Sequence, residues 1–113
     1  MTRTVAAAEA ARWIERGEAL LIDVRSPAEF AAEHIAAARS LPLDTLPGSL
    51  QALGLPADRK LVVQCLKGGR GATACAAVGR DFPEAWNLER GIEAWKAAGL
   101  PVVRQAAGLP VVR

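Results

Sequence analysis

One histidine, His34, and two cysteines, Cys65 and Cys75, are all the imidazole and thiol groups in this chain of 113 residues. The cysteines are too few for a disulfide framework, and their separation is neither that of a C-x-x-C redox pair nor a zinc spacing. Carboxylate clusters that could replace the missing imidazoles are absent too, so no metal site is expected. In a reducing compartment both cysteines stay thiols. An excess of either charge is also lacking: fourteen Lys and Arg against twelve Asp and Glu leave a formal charge of +2, which excludes the clustered basic surplus of a phosphate-backbone binder. A nucleic-acid partner is therefore not expected. Long apolar runs are missing as well. None approaches the ~18 to 20 residues of a membrane span. Glu9, Arg12, Glu15 and Arg16 interrupt the N-terminal segment, where a secretory signal needs a continuous apolar core. A cytoplasmic monomer without membrane contact is the expectation.

What is present is ordinary for one globular core: 51% hydrophobic and 23% charged residues, in a length that suits a single domain. Short apolar runs alternate with segments of helical period, which is the pattern of an α/β protein with a mainly parallel sheet covered on both faces. Ala19 to Val24, Lys60 to Cys65 and Ala85 to Leu88 read as buried strands. Leu100 to Arg104 reads as an edge strand with its proline at the start. Ala6 to Arg16 places Ala10, Trp13 and Ile14 on one stripe, and Gly17 stops the helix. In SPAEF, Ser26 can cap, Pro27 fits the first helical position, and Glu29 completes a capping box. Further helices are expected over about Arg70 to Arg80 and Gly91 to Ala98. The octapeptide AAGLPVVR occurs at Ala97 to Arg104 and again at Ala106 to Arg113. Two copies are too short for a repeat architecture. Residues 1–104 are read as the domain and 105–113 as an appended tail.

The stretch VVQCLKGGRGATACAAVG, Val62 to Gly79, carries the chemistry. An apolar strand stops at Cys65, and a loop with two cations and three glycines leads into an alanine-rich helix. In open α/β sheets the functional crevice lies beyond the carboxyl ends of the strands. Leu66, Lys67, Gly68, Gly69 and Arg70 can wrap round the Cys65 sulfur and aim backbone N–H groups at it, with Gly68, Gly69 and Gly71 removing side chains that would block a tight path. Such donors, with the helix dipole, Lys67 and Arg70, favour the thiolate, which attacks electrophilic sulfur, phosphorus or arsenic in anionic substrates. Arg70 could grip an oxyanion bidentately, and Lys67 adds a point charge. The competing reading makes Cys65 a small core residue at a turn. Cys, Lys, three Gly and Arg within seven residues weigh against it. Cys75, in the middle of the following helix, is read as packed against the sheet.

The segments LIDVRSPAEFAAEHI, LPLD, VVQCLKGGRGA and NLERGIEAWKAAGLPV, in that order and spacing, resemble the rhodanese-like domain, a sulfurtransferase family, from about Val5 to Val103. The resemblance implies a rhodanese-like three-layer fold with a sheet of about five strands. It makes Cys65 the nucleophile and Leu66 to Arg70 the cradle. It implies transfer of a sulfane sulfur from an anionic donor such as thiosulfate, through a Cys65 persulfide, to a thiophilic acceptor that is a thiol, cyanide or a protein. No cofactor is implied. Three positions depart from the family pattern: Gly71 where serine is frequent, Glu33 and Ala37 where glycines are usual, and Arg90 in place of the first of two glycines before the last helix. Asp23 and Arg25 are assigned a supporting role, with Arg25 expected to tie the strand end to Glu29. His34 is read as structural, and Trp13 and Trp95, on helix faces, as core.

Two rivals remain at this stage. A tyrosine phosphatase or arsenate reductase also uses a strand-end cysteine and an arginine, but resembles C-x5-R where Cys65 to Arg70 is C-x4-R. A regulatory binding module or persulfide carrier is the alternative from another class.

Overall fold

The alternation of apolar runs and helical segments becomes a three-layer α/β unit in the computed structural model, which describes residues 2–104. The expected tail, 105–113, lies outside the described residues. The strands are β1 (Arg3–Val5), β2 (Ala19–Asp23), β3 (Glu33–His34), β4 (Arg39–Ser40), β5 (Lys60–Gln64), β6 (Ala85–Leu88) and β7 (Val103–Arg104). The helices are α1 (Ala7–Glu15), α2 (Pro27–Ala32), α3 (Gly48–Leu53), α4 (Gly69–Val78) and α5 (Gly91–Ala97). Five strands form one sheet in the order β1-β6-β5-β2-β4, and every pairing in it is parallel.

Strand β5 is in the centre, so it is apolar on both sides: Leu61, Val62 and Val63 have no exposed surface. Successive side chains point to opposite faces. Leu61, Val63 and Cys65 therefore join Leu50, Ala74, Cys75 and Val78 under α3 and α4, while Val62 joins Ala10, Leu21, Ile92 and Trp95 under α1 and α5. Cys65 is the first residue past the end of β5.

Helix α2 starts as the sequence signals. The Ser26 hydroxyl accepts from the Glu29 N–H at 3.2 Å, and the Glu29 carboxylate accepts from the Ser26 N–H at 3.0 Å, closing the capping box on either side of Pro27.

One strand goes elsewhere. Leu100–Arg104 does not edge the main sheet, because β1 and β4 occupy both margins. Only Val103 and Arg104 are extended, paired antiparallel with Glu33 and His34 in a separate two-stranded ribbon. Trp95 draws the segment there by donating its indole N–H to the Pro101 carbonyl at 2.8 Å. Glu33 holds the far end by pairing with Lys96 and Arg104 at 2.8 and 2.6 Å. Trp95 is a core residue, as expected. Trp13 is instead half-buried at the rim, edge-on to Trp86 at 5.3 Å with the Lys60 ammonium over its ring.

Candidate active site

The carboxyl ends of β2 and β5 lie side by side, with Asp23 in register with Gln64. The chain leaves β5 at Cys65 and re-enters regular structure at Gly69, so the turn between is only four residues long. Gly68 makes it possible by taking φ +109°, a left-handed conformation costly for any residue with a Cβ. That turn points the Gly68 N–H at the Cys65 Sγ, 3.0 Å away, and the Gly71 N–H reaches the same sulfur at 3.3 Å from the first turn of α4. The sulfur therefore faces two backbone donors at the N-terminus of a ten-residue helix, where the macrodipole also favours negative charge. Cys65 itself is 1% exposed.

The loop is pinned from behind by α5. The Ile92 N–H donates to the Cys65 carbonyl at 2.8 Å and the Glu93 N–H to the Leu66 carbonyl at 3.3 Å. The approach is so close that a Cβ on Gly91, at φ +57°, would run into both carbonyls.

Asn87 has an equally direct part that the sequence reading missed. Its amide nitrogen donates to the Gly68 carbonyl at 2.9 Å, which holds the Gly68–Gly69 peptide, next along the chain from the Gly68 N–H that faces Cys65. Its amide fills the space where a Cβ on Gly71 would stand. The absence of a serine at position 71 is thus matched by Asn87 occupying its volume. A polar residue inside the apolar strand Ala85–Leu88 was the available signal: Asn87 is 6% exposed, and its carbonyl oxygen has no partner among the described residues.

The two loop cations are arranged differently from expectation. Arg70 donates to both Glu29 oxygens, at 2.7 and 3.0 Å, so its fork is spent on a carboxylate of α2. The Arg70 guanidinium draws the Glu29 carboxyl from its usual 4.5 to about 2, and Glu29 in turn raises Arg70, with the Cys65 sulfur and Asp23 adding to that rise. Lys67 is exposed and makes no ion pair among the described residues. The expected Arg25–Glu29 tie is absent. Arg25 and Asp23 are two apart at a strand end and face the same way. Arg25 consequently closes a buried fork on Asp23, with contacts of 3.0, 3.1 and 2.7 Å, and donates onward to the Glu33 carbonyl at 2.6 Å. His34 is structural: its Nδ1 lies 2.8 Å from the Phe30 carbonyl, and its ring stacks on Phe30 at 4.0 Å.

Two clefts flank the loop. One of about 710 Å³ is lined by Lys67 and Arg90, and another of about 320 Å³ by Ser26, Leu43 and Arg70. No cluster of three potential metal ligands occurs among the described residues, and no helix among them is long and apolar enough to cross a membrane.

A parallel α/β layer with a strand-end cysteine facing two backbone N–H donors defines a thiol-cradle domain. The rhodanese-like domain profile matches residues 6–98, and the chain belongs to that family. It is 37% identical over 93 residues to a sulfurtransferase of Allochromatium vinosum, covering 81% of this chain and 85% of the relative. It is 34% identical over 89 residues to the thiosulfate sulfurtransferase GlpE of Stutzerimonas stutzeri, covering 78% and 80%. A crystal structure of a rhodanese-related protein from Thermoplasma volcanium superposes with a TM-score of 0.79 at 29% identity, covering 91% of this chain and 99% of the other.

Proposed function

We propose that the protein is a sulfurtransferase that moves a sulfane sulfur from an anionic donor such as thiosulfate to a thiol, cyanide or a protein acceptor through Cys65. The observation that carries this reading is the pair of N–H donors, from Gly68 and Gly71, converging on the Cys65 Sγ. In the first step the Cys65 thiolate attacks the outer sulfur of thiosulfate. A new S–S bond forms as the old one breaks, and sulfite leaves with its electron pair. The persulfide keeps one negative charge at its terminal sulfur, and the cradle amides stabilise it as fixed dipoles that need no reorganisation. An acceptor thiolate then attacks that terminal sulfur, and the Cys65 thiolate leaves. Both steps are displacements at sulfur between ionised groups, so no general base is required.

In this reading Leu66 to Gly71 form the cradle, and Asp23 with Arg25 braces the neighbouring strand end. The phosphatase alternative is disfavoured by Arg70, whose fork is engaged by Glu29 rather than open to a tetrahedral oxyanion. Retention of the thiol favours an active domain over a purely regulatory one, and a carrier handing its sulfur to a protein would use the same persulfide. A thiolate nucleophile needs a reducing compartment, which makes the cytoplasm the proposed location, with a monomer as the working unit.

Intact mass spectrometry after thiosulfate treatment tests the proposal. One added sulfur atom is expected on the wild type and on Cys75→Ser, and none on Cys65→Ser. A wild type that gains no sulfur, or a Cys65→Ser variant that gains it, would overturn the reading.

A further inference from the structure

Asparagine is a poor strand residue, and β6 is otherwise Ala85, Trp86 and Leu88. Asn87 is in register with Val63, two residues before Cys65 on the neighbouring strand, so its side chain lies on the face that carries the sulfur. The two ends of its buried carboxamide are treated unequally. The nitrogen donates to the Gly68 carbonyl, whereas the oxygen is packed against Gly71 with no partner among the described residues. An acceptor stripped of water and left unpaired costs at least what one neutral hydrogen bond returns. Stabilising the fold therefore does not account for an asparagine here. Its two neighbours, Gly68 and Gly71, are the residues whose N–H groups face Cys65.

The use of the single bond follows from Gly68. This glycine, at φ +109°, is the N-cap of α4 and brings no side chain to fix the joint between loop and helix. Glycine has the widest choice of backbone conformations, so its N–H stays on the sulfur only while its other peptide group is held. The Gly68 carbonyl accepts from the Ala72 N–H at 3.1 Å and from the Asn87 amide at 2.9 Å. The Ala72 donor belongs to α4 and moves with it. The Asn87 donor belongs to the sheet and ties the joint to the strand beside the one that ends at Cys65. We propose that Asn87 is a positioning residue for sulfur transfer, which anchors the start of α4 to β6 and so keeps the Gly68 and Gly71 N–H groups on the Cys65 sulfur. The assignment rests on the sulfur-transfer reading of Cys65. Asn87 then acts on the charge at the sulfur and not on the binding of the donor, so its loss slows the displacement and leaves saturation by thiosulfate unaltered.

The test uses the full chain and two variants. Asn87→Leu keeps the volume while removing both the donor and the unpaired oxygen, and Asn87→Ala covers the case in which leucine does not fit. Single-turnover sulfur uptake is followed over a range of thiosulfate concentrations, beside urea unfolding and the rate of Cys65 alkylation by iodoacetamide, a neutral reagent. The maximal uptake rate is expected to fall about tenfold in both variants with half-saturating thiosulfate unchanged, the effect of weakening one hydrogen bond to a charged group. Alkylation should slow by a similar factor, and the urea midpoint of Asn87→Leu should equal or exceed that of the wild type. Unchanged uptake and alkylation in both variants overturn the positioning role. So does a rise in half-saturating thiosulfate at an unchanged maximal rate, or a urea midpoint of Asn87→Leu that falls along with its rate, which would make Asn87 a brace of the fold alone. In each of these cases the sulfur-transfer reading stands. A wild type that takes up no sulfur from thiosulfate overturns that reading and the positioning role with it.

Discussion

Cys65 and Cys75 lie in the same hydrophobic cluster, 1% and 7% exposed, yet the fold gives the two thiols opposite surroundings. Cys75 sits mid-helix among apolar side chains, and burial pushes its thiol up to about 11. Cys65 is at least as buried but lies where a strand ends and a helix begins, with two N–H groups directed at its sulfur. Burial alone raises the Cys75 thiol, and in the proposed function it is the orientation of two peptide N–H groups that makes Cys65 the nucleophile instead. The largest expected effect follows directly. Iodoacetamide at pH 7 should modify Cys65 in the native protein and leave Cys75 untouched until unfolding, since a thiol titrating near 11 is ionised in only about one molecule in ten thousand at that pH. Peptide mapping of the alkylated protein decides it. Equal labelling of both cysteines in the folded state would erase the contrast.

A step smaller is Gly91→Ala, which acts on the Cys65 side alone. Its Cβ would collide with the Cys65 and Leu66 carbonyls at a left-handed backbone position. A loss of about 2–4 kcal/mol is expected, combining the φ penalty with overpacking. Urea unfolding should register that loss, and sulfur uptake should fall with it, while native Cys75 stays unreactive. Full retention of stability would mean that α5 does not pin the loop.

Smaller again is the exchange between positions 71 and 87. Gly71→Ser alone forces its side chain into the Asn87 amide, an overpacking expected to cost roughly 1–3 kcal/mol. Asn87→Ala alone drops the hydrogen bond to the Gly68 carbonyl, worth about 1 kcal/mol. The double variant gives the serine the vacated volume, so the two losses should not add. A double-mutant cycle by denaturant midpoint checks this. Strict additivity would show that Asn87 and Gly71 do not share the space.

The central strands, the capped start of α2 and the cysteine–glycine loop were legible because each has a local signature: a continuous apolar run, a Ser-x-x-Glu box, or glycines at a strand-to-helix joint. Strands β1 and β4 were not, since three and two residues carry no periodicity. The 100–104 segment was assigned to the wrong sheet because its partner, Glu33–His34, is equally short and their pairing depends on Trp95 and Glu33 side chains. At the site, Cys65 and its glycines were readable in one stretch of chain. Which carboxylate meets which arginine was not. Arg25 and Arg70 each lie within reach of an acid, and the choice is made by strand parity and by where α2 carries Glu29.

That Arg70–Glu29 choice yields the smallest and most specific prediction. Glu29 titrates at about 2 in the fold instead of the usual 4.5, so the fold favours its ionised form. Its contribution is therefore fully present above 4.5 and is lost as pH falls from there toward 2. Both partners are about one-third exposed, at 32% and 38%, so solvent screening should hold the effect to under ~1 kcal/mol. Glu29→Gln should flatten the stability profile between pH 4.5 and 2 and leave the remainder nearly parallel to the wild type. The same variant releases the Arg70 fork beside the Cys65 cradle, so its KM for thiosulfate should fall modestly while Cys75 remains silent. An unchanged acid limb would mean that the pair contributes nothing in solution. An unchanged KM would mean that Arg70 serves α2 and not the sulfur donor.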